Sequence, residues 1–77
     1  MNEDELKILL ANIREEVFVF GGCIMFFGKG YAIDKENFGC YKMLPVEILP
    51  LLRAELKGYK LETEVRGKVL QLTITNV

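Results

Sequence analysis

Apolar residues recur every three or four positions at the start of this chain, run unbroken through its second quarter and alternate with polar ones at its end. Leu6, Leu9, Leu10 and Ile13 share one face of a 3.6-residue period, which predicts a helix over Met1–Glu16. Asn2 followed by Glu5 has capping-box spacing, and the early acids suit the positive end of a helix dipole. The run Val17–Phe27, VFVFGGCIMFF, has no charged or hydrogen-bonding side chain except the weak thiol of Cys23. Its β-branched and aromatic content predicts a strand, with the helix stopping near Val17. Gly21-Gly22 divides the run, either as a two-residue hairpin turn or as a bulge in a strand that continues to a turn at Gly28-Lys29-Gly30. The bulge is preferred, because VFVF is a short strand arm and GKG is a suitable loop feeding Tyr31-Ala32-Ile33.

Asp34–Asn37 reads as a polar turn and Phe38–Met43 as a further short strand weakened by Gly39. LPVEILPLLRAELKGY then gives a second helix. Pro45 suits a helix start, whereas Pro50 means either that 45–48 is a separate turn or that one helix is kinked. Leu49, Leu52 and Leu56 share a face, and Gly58 is placed to end the helix in the left-handed conformation. The clearest hairpin follows. Leu61, Thr63 and Val65 alternate with Lys60, Glu62 and Glu64, and after a turn at Arg66-Gly67-Lys68, Leu70, Leu72 and Ile74 alternate with Gln71, Thr73 and Thr75. The expected fold class is α+β, in the order α-β-β-(β)-α-β-β. It is a small antiparallel sheet of four to five strands with two helices on one face, and residues 1–77 form one domain.

Composition narrows the chemistry more than it names it. The chain has 77 residues, 51% hydrophobic and 27% charged, with a net charge of −1. A domain this small buries only ~60–65% of its unfolded surface, which favours self-association. Residues 1–16 carry five acids and two bases, read as a solvated helix face. The near-neutral charge argues against long-range attraction to nucleic acid or anionic lipid. The N-terminus is acidic where a secretory signal is basic, and the apolar run is shorter than the ~20 residues of a membrane span. A soluble, cytoplasmic protein with reduced thiols is expected.

Histidine and serine are absent, which removes Ser-His and Cys-His nucleophile pairs and imidazole metal ligands. The threonines lie on the C-terminal hairpin. Cys23 and Cys40 stand seventeen positions apart, too few and too far apart for a zinc site, and read as small buried hydrophobes even if their strands pair. Glu15-Glu16 and Glu62/Glu64 are the available carboxylate pairs, with no pocket signalled around either. No catalytic residue, metal site or cofactor is expected, and the protein is read as a non-enzyme.

Two short segments resemble nucleic-acid-binding families. KGYAI at 29–33 and VFV at 17–19 are similar to strand motifs of the RNA-recognition motif family and of cold-shock domains. Independently of the resemblance, aromatics on a sheet can stack on bases, and Phe18, Tyr31 and Phe38 are the residues available for it. The resemblance covers eight residues and ends at Asp34-Lys35-Glu36, where the families carry apolar and aromatic residues. An RNA-recognition motif also places a helix between the two segments, and cold-shock domains have them in the opposite order. No RNA contact is carried over, and a single-stranded nucleic-acid binder ranks third among the functions considered.

The first expectation is a non-catalytic interaction module, a homodimeric adaptor or inhibitor. Val17–Phe27 does not alternate as the C-terminal hairpin does, so it needs cover on both faces, and the helices supply one. Val17, Phe18, Val19, Phe20, Ile24 and Phe26 are the expected self-contact, with a larger protein as a further target. The second expectation is a small-ligand or nucleotide binder using Gly28, Lys29, Gly30 and Tyr31. The loop lacks the GxxxxGK[ST] pattern of a phosphate-binding P-loop.

Overall fold

The computed structural model describes residues 2–34 and 39–77. The chain opens with α1, Glu3–Phe20, followed by strands β1, Gly22–Phe27, β2, Tyr31–Asp34, and β3, Gly39–Lys42. A 3-10 turn at Val46–Ile48 leads into α2, Leu49–Glu55, and strands β4, Tyr59–Arg66, and β5, Val69–Asn76, complete the fold. The class is α+β, with two helices and a three-stranded antiparallel sheet in the order β1-β5-β4. β2 and β3 form a separate two-stranded ribbon. The expected single sheet of four to five strands is therefore corrected. Of the expected Asp34–Asn37 turn, Asp34 ends β2 and the rest lies outside the described residues, as does Phe38.

α1 begins as its sequence predicts: Asn2 is the N-cap, and its Oδ1 accepts from the Glu5 N–H at 2.8 Å. It does not stop at Val17. Leu6, Leu10, Ile13 and Val17 are spaced four, three and four apart, so Val17 falls on the same inward stripe and is fully buried. Four residues of moderate helix propensity cost at most ~0.5 kcal/mol each, and burying Val17 returns about 2 kcal/mol. The helix ends one turn later at Gly21, whose N–H still donates to Val17 O at 2.9 Å and whose left-handed φ of 83° and ψ of −6° then turn the chain out of the helix. Gly21 is thus a left-handed helix cap, neither the hairpin turn nor the bulge expected of it.

With VFVF in the helix, the remaining GCIMFF alternates. Cys23, Met25 and Phe27 point inward beside Ile74, Leu72 and Leu70 of β5, while Gly22, Ile24 and Phe26 face outward beside Thr75, Thr73 and Gln71. The inner face carries the core, where Leu10, Ile13 and Val17 of α1 meet Ile48, Leu52 and Leu56 from the second helical segment. Both helices thus cover one face. Arg14 Nη2 donates to the Glu55 carbonyl oxygen at 3.3 Å, tying α1 to the end of α2.

The expected β1–β2 hairpin does not form. After β1 the chain bends at Gly28 and Gly30, with φ of 154° and 85°. The place beside the end of β1 is taken by Leu44: its N–H donates to Phe26 O at 2.9 Å and its carbonyl accepts from Gly28 N–H at 3.0 Å. Pro45, which has no N–H, follows immediately, and the parallel contact is a single bridge. The two prolines resolve as the first of the expected alternatives. Pro45 caps the 3-10 turn, and Pro50 lies in the first turn of α2.

Candidate functional site

The residues expected to form an apolar interface divide into three groups. Val17 is core and is withdrawn from any interface. Phe18, Val19 and Phe20 occupy the last turn of α1, which turns each successive residue by ~100° away from the buried stripe. They are exposed to 89%, 60% and 79%. Ile24, 56% exposed, and Phe26, half-buried, lie on the outer face of β1, opposite the helices. Across that face the sheet changes character, from Ile24 and Phe26 through Thr73 and Gln71 to Glu62 and Glu64. The apolar surface therefore belongs to a helix end and a strand face rather than to one long strand.

The expected ligand residues are split as well. Gly28 and Lys29 line an open cleft of about 320 Å³ together with Val46, Glu47 and Lys68. Gly30 and Tyr31 are not part of its lining, and Tyr31 is exposed on β2. Lys68, from the β4–β5 turn, and Val46-Glu47, from the 3-10 turn, had no signal in the sequence linking them to the GKG loop. Two lysines and one glutamate thus contribute to its lining. Gly28 itself is explained by packing, since a Cβ there would stand 2.9 Å from Met43 Sδ and 3.0 Å from the Lys68 carbonyl oxygen.

The other candidates disperse. Cys23 is buried in β1, whereas Cys40 belongs to β3 in register with Ile33, so their strands do not pair. Burial, together with the Glu16 carboxylate beside it, pushes the Cys23 thiol up to about 12. Such a thiol stays protonated and is a poor nucleophile. Glu62 and Glu64 are exposed, paired with Lys60 and Arg66 of their own strand at 3.0 Å each. Among the described residues no three His, Cys, Asp or Glu side chains gather as metal ligands. Phe18 and Tyr31, considered for base stacking, sit on a helix end and on the ribbon, and Phe38 lies outside the described residues. Among the described residues no helix is long and apolar enough to cross a membrane.

Fold and surface together define a small α+β protein with an apolar helix end and a lysine-lined cleft. The chain matches no protein-family model, no curated protein and no solved structure.

Proposed function

We propose that this chain is a non-catalytic protein-interaction module of the cytoplasm, a small homo-oligomeric adaptor or inhibitor that self-associates through the apolar end of α1 and the outer face of β1. The observation that carries the reading is the run Phe18-Val19-Phe20, three consecutive large apolar side chains left exposed after a fully buried Val17. Burying one phenylalanine is worth ~2–3 kcal/mol, and a two-fold contact buries each residue twice. A larger protein target is a second occupant of the same surface. Light scattering across a concentration series tests the reading. Self-association is expected by about 100 µM, and the Phe18→Lys/Phe20→Lys pair is expected to abolish the contact through α1 over that range with the fold intact. A wild-type monomer throughout the series overturns the proposal.

A second reading, a small-ligand binder, is favoured by one observation: the cleft brings Lys29 together with Lys68. Its ligand would be a small phosphorylated molecule such as a nucleotide. Thermal stabilisation by a nucleotide panel, lost in Lys29→Ala and in Lys68→Ala, supports it. The absence of stabilisation at millimolar nucleotide overturns it.

A further inference from the structure

Among the described residues no strand pairs with the outer edge of β4, and the direction of the backbone groups there follows from the ladder. Leu44 bonds Phe26 O and Gly28 N–H, so even-numbered residues of β1 direct their backbone groups away from β5. The odd-numbered Cys23, Met25 and Phe27 then bond Ile74, Leu72 and Leu70. Alternation along β5 leaves Val69, Gln71, Thr73 and Thr75 to bond Arg66, Glu64, Glu62 and Lys60. The backbone groups of Leu61, Thr63 and Val65 therefore point to the open edge, with the carbonyl of Tyr59. The Tyr59 N–H is used within the chain, donating to Leu56 O at 3.2 Å. β4 contains no proline, and its charged side chains all lie on the outer face.

The burial of the inner face of β4 and the charge order of its outer face both favour one reversed register. The inner face is covered at one end only: Tyr59 and Leu61 pack against the core, while Thr63 and Val65 are bare, Val65 being 72% exposed. On its outer face the charges run Lys60, Glu62, Glu64, Arg66, so reversal about Glu62 sets Lys60 against Glu64. We infer that β4 pairs antiparallel with β4 of a second copy about a two-fold axis at Glu62. Tyr59 then lies opposite the partner's Val65 and Leu61 opposite the partner's Thr63, joined by about six backbone hydrogen bonds. The covered end of each strand meets the bare end of the other, an aromatic beside a β-branched residue. Lys60 faces the partner's Glu64 twice over. Moving the axis one residue towards the C-terminus sets Lys60 against the partner's Arg66 and Glu62 against the partner's Glu64. Moving it one residue the other way takes Val65 out of register with the partner's Tyr59. The one mismatch in the inferred register is Glu62 opposite itself, each copy held by its own Lys60 at 3.0 Å.

This inference rests on the self-association reading for its occupant but uses a different surface. Two isologous contacts per chain make either a closed tetramer or an open chain. The test is the mass of the Phe18→Lys/Phe20→Lys variant, whose apolar contact is removed. A dimer is expected. Adding Thr63→Pro, which removes an N–H that bonds nothing among the described residues, is expected to give a monomer with unchanged circular dichroism. Lys60→Glu is expected to weaken pairing ~10-fold, Lys60→Glu/Glu64→Lys to restore it, and Glu62→Gln to tighten it. A monomeric starting variant, a mass unmoved by Thr63→Pro, or a charge exchange without rescue overturns the inference. A wild-type dimer that survives the phenylalanine changes and is lost on Thr63→Pro keeps the β4 contact and removes the apolar one. The reverse pattern does the opposite, and a wild-type monomer removes both.

Discussion

The methyl group that Gly28→Ala would add has no room, because one of its neighbours is backbone. Met43 Sδ at 2.9 Å can swing aside, but the Lys68 carbonyl oxygen at 3.0 Å belongs to the β4–β5 turn and moves only with it. The φ of 154° adds strain for any side chain. Gly28→Ala is expected to lower stability by about 2 kcal/mol, read as a fall in the urea midpoint at unchanged m. Cys23 gives a pH-dependent counterpart. Its folded thiol titrates near 12 against an ordinary 9.0, so the folded state keeps a proton that the unfolded chain releases. The stability this contributes is complete below pH 9.0 and is lost as pH rises towards about 12. Melting curves between pH 8 and 11 are expected to fall more steeply for the native chain than for Cys23→Ala. Equal slopes would show that the Cys23 thiol ionises as freely folded as unfolded.

At the scale of elements, local signals were legible wherever one residue type settles one conformation. Asn2 begins α1, Pro50 sits in the first turn of α2, and Gly67-Lys68 closes the β4–β5 hairpin, all near their expected places. VFVF was misread because β-branched and aromatic content is a weak preference, whereas the four-three-four spacing from Leu6 to Val17 is a packing requirement. That spacing was visible, and carrying the stripe one residue further would have placed Gly21 as a cap. Val17→Ala is accordingly expected to cost about 2–3 kcal/mol, the behaviour of a core residue, while Val19→Ala costs less than ~0.5 kcal/mol in the monomer; urea unfolding separates the two. The partner of β1 was not legible. Nothing local to GCIMFF distinguishes β2, nine residues on, from β5 at the far end of the chain, and the choice is made by the shape of the common core.

For the whole molecule, the surface mattered more than any motif. Exposure was legible in part: Phe18, Val19, Phe20 and Ile24 were singled out and are exposed, and Gly28-Lys29 lines a cleft. The grouping was not, because Lys68 and Glu47 reach that cleft only through tertiary packing. The sheet order β1-β5-β4 also has a consequence in time. Its middle strand is the last of the five described strands in sequence, and pairing Gly22 with Thr75 closes a loop of about fifty residues. The β4–β5 hairpin needs only a two-residue turn, so it is positioned to form first and to offer β1 a template. Thr73→Ala is then expected to slow folding with a φ-value well above that of Met25→Ala, in a chevron series that reports both. Until that docking step, α1 and β1 have no sheet to lie against. During synthesis the N-terminal third of the chain would therefore wait, apolar and unsheltered, for β5, and chaperone occupancy is expected to be greatest in that interval.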